Sequence, residues 1–365
     1  MKTQAAVFDG PGKPLRIAEI DIAEPGPGEV LVDVKATGVC HSDVGVFSGK
    51  LPAPTPLVLG HEGAGVVSAV GEGVTDLAVG DHVVLTWLAA CGACFYCRRG
   101  EQHLCGRPRT MLGAHTMPDG STRMSLDGEP VRQFCGLGTF AERTVVPQGA
   151  AVKIPDDVPL TSAALLGCGV LTGFGASVKT GGVRVGDSVA VIGCGGVGLN
   201  AVQGARIAGA TTVIAIDVHE ERLQLAQKLG ATHALTAAPD IVKQVQRLTD
   251  RRGVDVAVEV AGRQETTNQA VAMIRRGGTA VLVGAAPGVS VDEVFNNVVM
   301  AGKNVCGCLY GSAEVKGDIP KLVDLYRSGA LMVDQLVTET FAFTDINAAV
   351  DYCSGEQGAR AVVEY

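Results

Sequence analysis

The order of apolar and polar positions divides the chain into two kinds of segment. The first 38 residues, and the stretch that continues to residue 85, alternate short apolar runs with Pro and Gly, which predicts short antiparallel strands joined by turns. Between residues 187 and 260, strand-like runs such as DSVAVIG and TTVIAID alternate with helix-like runs such as ERLQLAQKLG, and the strand-like GGTAVLVG follows. This repetition predicts a parallel sheet with crossover helices.

The remaining segments carry weaker patterns. Residues 106–139 are polar and Gly-rich, so we expect a loop there. The tail from about residue 311 contains a helix-like stretch, PKLVDLYRSG, and short strand-like runs. The sequence predicts an α/β fold, and its 365 residues suit two domains.

Charge and targeting signals exclude several classes of partner. A net charge of −8 argues against nucleic acid or anionic membranes, because both need a basic surface. The N-terminal MKTQAAVFDG has no apolar signal region, and we find no run of about 18 apolar residues that would predict a membrane span. We therefore expect a cytoplasmic protein, in which disulfides rarely persist. An odd count of 11 Cys agrees with that expectation.

Four cysteines lie close together at Cys91, Cys94, Cys97 and Cys105, with the spacing C-x2-C-x2-C-x7-C. Four thiolates suit a closed tetrahedral Zn²⁺ site with no open position for chemistry, so we predict a structural zinc lobe. The alternatives are an iron–sulfur cluster, whose bacterial ferredoxin spacing is shorter, and thiols without a metal. A zinc ribbon that binds nucleic acid is a further alternative, but it disagrees with the acidic charge.

A glycine pattern predicts a dinucleotide site. Gly193, Gly195 and Gly198 form G-x-G-x-x-G between an apolar strand and a helix, and a second strand ends at Asp217. The glycines permit a tight turn, close approach to a pyrophosphate and helix–strand packing. Asp217 can accept hydrogen bonds from ribose hydroxyls and would repel a 2′-phosphate, which favours NAD over NADP. Arg222 is either a nucleotide contact or a solvated helix residue.

A second set of metal ligands is indicated by GVCHSD and LGHEGAG, which contain Cys40 and His61. A catalytic zinc needs three protein ligands and an open position. The third ligand must be distant in sequence, and Cys194 is a poor candidate because it lies within the phosphate loop. Spacing alone does not choose between Cys135 and Cys168.

These motifs together resemble those of the zinc-containing medium-chain alcohol dehydrogenases. GHEGAGVV, the four-Cys lobe, GCGGVG and the closing SGEQGARAVV occur in the order of that family, and GCGVLTGFGA resembles the segment that carries its third zinc ligand, which selects Cys168. The resemblance implies a mostly antiparallel, GroES-like catalytic domain from residues 1–170 and 310–365. Between them, it implies a doubly wound Rossmann domain at 171–309.

The resemblance also implies roles for individual residues. Ser42 would take the alcohol proton, Asp43 would orient the imidazole of His61, and Glu62 would lie behind the metal. The implied nucleotide contacts are His41, Thr172, Gly193, Gly195, Gly196, Val197, Gly198, Asp217, Arg222 and Arg360. The implied pocket residues are Leu51, Trp87 and Phe134, although Trp87 could also be ordinary core. Two zinc ions and NAD are expected, with a homodimer formed through the strand around 304–310, or a homotetramer.

Two features depart from particular branches of the family. In some members of the family, a histidine performs the last step of proton release. This chain has Gly45 at that position. Arg109 is placed like an anion-binding Arg of the glutathione-dependent formaldehyde branch, but the acidic pair of that branch would fall at Leu51 and Ala53. A glutathione adduct is therefore disfavoured, while another thiol carrier remains open.

Three functions follow from these residues. The favoured one is an NAD-dependent zinc enzyme that interconverts primary medium-chain or aromatic alcohols and aldehydes. The alternative within the same architecture is a formaldehyde dehydrogenase that acts on a thiol adduct. The alternative of another class is a non-catalytic NAD- or zinc-binding sensor, in which Cys40, His61 and Cys168 would have no catalytic role.

Overall fold

The computed structural model describes residues 1–284, 288–355 and 358–365; the side chains of residues 109 and 110 lie outside the description. The chain forms two compact units. Unit 1 comprises Met1–Cys168, Glu314–Ser328 and Val333–Tyr365, and unit 2 comprises Gly169–Ala313 and Gly329–Met332. The sequence prediction drew its boundaries at residues 170 and 309.

The strands, in chain order, are β1 (Lys2–Phe8), β2 (Arg16–Ile22), β3 (Glu29–Val39), β4 (Leu57–Val58), β5 (Glu62–Val70), β6 (His82–Leu85), β7 (Met124–Leu126), β8 (Glu129–Gln133), β9 (Arg143–Pro147), β10 (Ala151–Lys153), β11 (Ser188–Ile192), β12 (Thr212–Asp217), β13 (His233–Thr236), β14 (Val254–Glu259), β15 (Ile274–Leu282), β16 (Asn304–Gly307), β17 (Val337–Ala342) and β18 (Arg360–Glu364). The helices are α1 (His41–Phe47), α2 (Phe95–Arg98), α3 (Pro108–Ala114), α4 (Leu160–Leu165), α5 (Leu171–Gly175), α6 (Gly196–Ile207), α7 (Glu220–Lys228), α8 (Ile241–Arg247), α9 (Gln264–Met273), α10 (Val315–Arg327) and α11 (Ile346–Ser354).

Unit 1 is mostly antiparallel β structure. Five short strands close a barrel in the order β1-β2-β7-β8-β4, and a seven-stranded sheet has the order β10-β6-β5-β3-β18-β17 with β9 also paired to β3. The C-terminal strand β18 pairs antiparallel with β3, so that Ala361 lies opposite Val39. This pairing places the end of the chain beside the strand that leads into Cys40.

Unit 2 contains a six-stranded parallel sheet in the order β13-β12-β11-β14-β15-β16. The strands β11 and β12 are nearly continuous apolar runs, because both faces of a parallel sheet are covered. Ala190, Ile214 and Ala257 are all fully buried in the core between the sheet and its helices. The predicted strand–helix alternation, and with it the Rossmann fold, is confirmed here.

Two sequence expectations are corrected. Residues 106–139 are not a simple loop, because they contain α3, β7 and β8, and both strands belong to the closed barrel. The tail helix α10 begins at Val315, upstream of Pro320, where the predicted helix began. By length and composition alone, the 21-residue helical segment Leu160–Thr180 could cross a membrane, but most of it is buried inside the protein, as in a core helix.

Candidate active site

Four potential metal ligands converge in unit 1. Cys40, His61, Glu62 and Cys168 each place one donor atom within 4.8 Å of the others. Cys40 directly precedes α1, His61 directly precedes β5, and Cys168 lies in the π-helical turn Leu166–Val170. The structure therefore brings together the ligand set that the resemblance implied. Two thiolates and one imidazole are a donor set that suits a catalytic zinc ion.

Asp43 organises two of these ligands from a fully buried position. One carboxylate oxygen accepts a hydrogen bond from the backbone N–H of Cys40 at 3.0 Å. The other accepts from the backbone N–H of Gly60 at 3.0 Å and lies 3.2 Å from Nδ1 of His61. An imidazole that donates from Nδ1 keeps its Nε2 lone pair for a metal, so this contact selects the tautomer that zinc requires.

The ionisation of the cluster depends on its internal contacts. The hydrogen bond with Cys168 holds the pKa of the Cys40 thiol well below its usual value, against the opposing effect of burial. The same bond and burial raise the pKa of Cys168. Burial lowers the pKa of His61, but the negative charges of Asp43 and Cys40 outweigh it and leave that pKa well above its usual value. Zinc binding would release the protons held on Cys168 and His61.

Glu62 forms a buried ion pair with Arg360. The side chain of Glu62 is fully buried and that of Arg360 is 5% exposed. The pair exists because β5 begins at Glu62 and β18 begins at Arg360 in the same sheet. In the structure, the guanidinium of Arg360, which the resemblance implies contacts a pyrophosphate, neutralises the Glu62 carboxylate beside the other potential metal ligands.

Two aromatic side chains border the cluster. The indole of Trp87 hydrogen-bonds with the thiol of Cys168, and this contact opposes part of the rise in the pKa of that thiol that Cys40 and burial cause. Phe134 places its ring edge-on to the ring of His61, with 5.4 Å between the centroids. Trp87 and Phe134 are 8% and 5% exposed. Both predicted pocket walls therefore contact residues of the predicted zinc site.

Leu51 packs closely over Gly45, the position where the resemblance implies a histidine in some members of the family. A β-carbon at Gly45 would lie 2.9 Å from a methyl carbon of Leu51, which is closer than side chains normally approach. Leu51 also donates its backbone N–H to the carbonyl of Gly45 at 2.9 Å. The predicted pocket residue Leu51 therefore fills the space beside α1 that a larger side chain would need.

The four cysteines of the lobe also converge. The Sγ–Sγ distances are 3.5 Å for Cys94–Cys97, 3.8 Å for Cys94–Cys105 and 3.9 Å for Cys91–Cys97. Four sulfurs about 2.3 Å from a tetrahedral zinc ion lie about 3.8 Å apart, so the spacing fits that ion. The backbone N–H groups of Ala93 and Cys94 lower the pKa of Cys91 to about 6, which favours the thiolate that a metal needs.

The predicted phosphate loop has the required geometry in unit 2. Gly193 has φ of 95°, and a β-carbon at Gly198 would overlap the Gly193 carbonyl. Gly195 is the residue before α6 and has open space around its α-carbon, which leaves room for a ligand. One Asp217 oxygen accepts from the Cys194 N–H at 2.6 Å and the other from the His219 N–H at 3.0 Å. The carboxylate is thus fixed beside the loop.

The other predicted residues occupy varied positions. Ser42 is half-buried on α1, and its Oγ lies 3.9 Å from Sγ of Cys40. His41 is exposed, whereas Thr172, on α5, is buried. Gly196 and Val197 form the first turn of α6, and Arg222 lies on α7. The side chain of Arg109 lies outside the described residues.

Two features of the site have no signal in the sequence. The contact of Trp87 with Cys168 and the ion pair of Glu62 with Arg360 join residues that are far apart in the chain. His115, which the sequence analysis also did not select, is buried near the site: it is 6% exposed, and its ring centroid lies 5.1 Å from that of Phe134. A lone His in a Gly-rich segment gave no reason to select it.

Comparisons with known proteins cover the whole chain. The family model described as an alcohol dehydrogenase GroES-like domain matches residues 26–156, and that of a zinc-binding dehydrogenase matches residues 196–328. A Mycobacterium tuberculosis protein with the provisional name alcohol dehydrogenase D is 42% identical over 367 residues, with full coverage of both chains. An NDMA-dependent alcohol dehydrogenase of Amycolatopsis methanolica is 40% identical, covering 100% of this chain and 99% of its own.

A further relative is named for a glutathione adduct. The S-(hydroxymethyl)glutathione dehydrogenase of Paracoccus denitrificans is 36% identical with full coverage of both chains. Among solved structures, an alcohol dehydrogenase zinc-binding domain protein from Burkholderia ambifaria has a TM-score of 0.95 at 39% identity, and the benzyl alcohol dehydrogenase of Acinetobacter calcoaceticus has 0.94 at 35%. Each comparison covers 100% of this chain and 99% of the other. The ligand sets, the two-part fold and these relatives lead to one conclusion: the chain belongs to the zinc-containing medium-chain alcohol dehydrogenase family.

Proposed function

We propose that this protein oxidises primary medium-chain or aromatic alcohols to aldehydes, and reduces the aldehydes in reverse, with NAD as the hydride carrier. The observation that carries the proposal is the convergence of Cys40, His61 and Cys168, with Asp43 fixing the His61 tautomer. The chemistry that zinc supplies when bound there is Lewis acidity, which makes an alcohol hydroxyl more acidic. NAD accepts the hydride, and the protein contributes position and electrostatics.

Individual side chains of the protein have separate roles in this reaction. Ser42 relays the hydroxyl proton: its Oγ, beside Sγ of Cys40 at the start of α1, accepts that proton as it passes its own hydroxyl proton on toward water. Trp87 and Phe134 bound the space next to Cys168 and His61 with apolar rings, which suits a flat or unbranched substrate. The structural similarity to a benzyl alcohol dehydrogenase supports an aromatic substrate. The nucleotide loop and Asp217 bind the adenosine half of NAD.

The direct test combines metal analysis with an activity screen. We expect two zinc ions per chain and NAD reduction with benzyl alcohol and n-butanol. Parallel assays add glutathione and another low-molecular-weight thiol with formaldehyde, because one relative is named for a glutathione adduct, and NDMA, because another is named for it. Activity restricted to thiol adducts would favour the formaldehyde alternative, and no activity on any alcohol would favour the sensor.

The choice of NAD over NADP is expected to depend on the charge of Asp217. Asp217→Asn keeps the shape of the side chain but removes the negative charge and one acceptor, so the kcat/KM ratio for NAD over NADP should fall about tenfold or more. Steady-state kinetics with both cofactors measure the ratio. Asp240→Asn, at the start of α8 in the same unit, is the matched control and should leave it unchanged.

Trp87 is expected to set the width of the alcohol site. Trp87→Ala should raise kcat/KM for bulky alcohols relative to short ones by about tenfold, because one or two methylenes of pocket space correspond to about 1–3 kcal/mol. Trp87→Phe keeps an aromatic wall and removes only the indole N–H, so it should alter selectivity much less. Unchanged relative kcat/KM across an alcohol series in Trp87→Ala would assign the side chain to the core.

We also propose a homodimer formed through unit 2. β16 is the last strand of the six-stranded sheet, and within the described residues its outer edge pairs with no strand. Beside it in sequence, Val294, Phe295, Val299 and Met300 are 50%, 65%, 59% and 60% exposed. An open edge next to exposed apolar side chains suits pairing with a second copy.

A charge on this surface should separate the two copies. Phe295→Lys is expected to shift the protein from dimer to monomer in size-exclusion chromatography with light scattering. Val185→Lys serves as the matched control, because Val185 is 86% exposed elsewhere in unit 2. A Phe295→Lys protein that remained dimeric at micromolar concentration would place the interface on another surface.

A further inference from the structure

Three rings in unit 1, those of His61, Phe134 and His115, contact one another in sequence. The centroid of Phe134 lies 5.4 Å from that of His61 and 5.1 Å from that of His115, at interplanar angles of 77° and 40°. The three residues are 2%, 5% and 6% exposed for His61, Phe134 and His115 respectively. The Phe134 ring therefore connects His61, a predicted metal ligand, to the buried imidazole of His115. The proposed reaction does not use His115.

His115 holds the chain on both sides of Phe134. Its backbone carbonyl accepts a hydrogen bond from the N–H of Gln133 at 3.0 Å, and its Nδ1 accepts one from the N–H of Cys135 at 3.3 Å. Its ring contacts the residue between them. His115 thus contacts the three successive residues 133–135 through its ring and its backbone carbonyl.

The backbone at these positions needs such support. Cys135 has φ of 54°, in the left-handed region that non-glycine residues rarely adopt, and that conformation costs about 1–3 kcal/mol. His115 itself has φ of 54° and ψ of 47° as it ends α3. On the opposite side, the Gln133 amide donates to the Val145 carbonyl at 3.1 Å, which anchors the turn to β9. The hydrogen bond from Cys135 to His115 supports the other side of the turn.

The protonation state of His115 agrees with this geometry. Nδ1 accepts a hydrogen bond, so the ring is the neutral tautomer with its proton on Nε2. Burial lowers the pKa of His115, and the positive charge of Arg132 lowers it further. The Arg132 guanidinium also donates to the carbonyl of Ala114, next to His115, at 2.8 Å. A neutral imidazole can pack against a phenyl ring without an unpaired buried charge.

We infer that His115 is a positioning residue for substrate selectivity, which holds the Phe134 ring against His61 so that the alcohol site presents a rigid wall to a flat aromatic substrate. The inference rests on the proposed function, since it concerns the pocket of the same metal centre. It predicts that His115 affects the choice between aromatic and aliphatic alcohols, and that this effect passes entirely through Phe134.

The test compares binding of benzyl alcohol and n-butanol to zinc-loaded wild type, His115→Asn, Phe134→Leu and the double variant. Trp87 is the single tryptophan of the chain, so its fluorescence reports binding beside Cys168 without turnover. Asn tolerates the left-handed conformation that ends α3 but has no ring. His115→Asn should reduce the preference for benzyl alcohol over n-butanol about tenfold, in the range of a lost pocket contact.

The double variant separates positioning from general destabilisation. If His115 acts through Phe134, adding His115→Asn to Phe134→Leu changes the preference no further, whereas additive effects would overturn the inference. A preference within twofold of wild type in His115→Asn, with two zinc ions retained, would overturn it as well. His233→Asn, in unit 2, is the matched control and should match wild type. If His115→Asn fails to fold, His115→Gln takes its place in the same cycle.

The outcomes for the proposed function are distinct. A wild type that binds benzyl alcohol but reduces no NAD contradicts the proposed activity, yet the binding preferences still decide the role of His115. A wild type that turns over alcohols, with variants that keep its preference, leaves the activity intact and removes the role of His115.

Discussion

Cys168→Ser should leave one zinc ion per chain instead of two and reduce kcat/KM for alcohols at least about a thousandfold. Removing one of three protein ligands leaves a harder, more weakly binding donor in place of a thiolate, and zinc supplies several kcal/mol of charge stabilisation in such reactions. Cys168 lies in the cluster with Cys40 and His61. The lobe zinc should remain, because its four ligands belong to a separate cluster.

Cys135→Ser is the informative comparison, because spacing in the sequence could not decide between Cys135 and Cys168. Burial raises the pKa of the Cys135 thiol to about 12, and the charges of His61, Asp43 and Cys40 act on it, so it lies close to the cluster without being part of it. Its variant should retain both zinc ions and at least a tenth of the activity. Zinc content per chain by plasma emission, together with kcat/KM, decides the assignment; loss of the second zinc in Cys135→Ser instead would reverse it.

The sequence was informative where structure is local. The strands β11 and β12 are nearly continuous apolar runs flanked by helices, so their burial on both faces is visible in the residues themselves. The glycine loop was equally readable, because its function depends on backbone conformation within six positions. Likewise, the four lobe cysteines lie within fifteen residues of each other.

The barrel strands of residues 106–139 were missed because their pairing is not local. β7 has three residues and pairs with β2, more than a hundred positions earlier, and β8 carries a proline and an arginine yet pairs with β4. Strands this short are stabilised by distant partners rather than by their own propensity. Composition alone therefore predicts a loop.

The sequence predicted only those site residues that belong to recognisable motifs. Cys40 and His61 stood out in short motifs, but Cys168 could be selected over Cys135 only through resemblance to a family. The pairing of Glu62 with Arg360 follows from the return of β18 beside β3, which no local pattern reveals. His115 contributes through contacts with a turn about twenty residues away, so only the folded structure identifies it.

Glu62→Gln should destabilise unit 1 by about 3–5 kcal/mol. The variant removes the carboxylate that neutralises a guanidinium only 5% exposed, and breaking a buried pair from one side leaves the other charge unpaired in a low-dielectric interior. Urea unfolding followed by Trp87 fluorescence measures the change, since Trp87 lies in the same unit. Asp157→Asn is the control, because the Asp157–Arg327 pair in that unit is about half exposed and such surface pairs contribute about 0–1 kcal/mol.

Replacing both partners of the pair distinguishes charge from packing. Glu62→Met combined with Arg360→Met should recover most of the lost stability, because a buried pair replaced by apolar side chains of similar volume is often neutral. The same double variant should not recover zinc affinity. The Glu62 carboxylate lies within 4.8 Å of the Cys40, His61 and Cys168 donors, and removal of groups that support metal ligands typically lowers affinity by about 10–100-fold. Stability restored without zinc retention would assign the pair two separable roles, whereas recovery of both would show that the carboxylate acts only by neutralising Arg360.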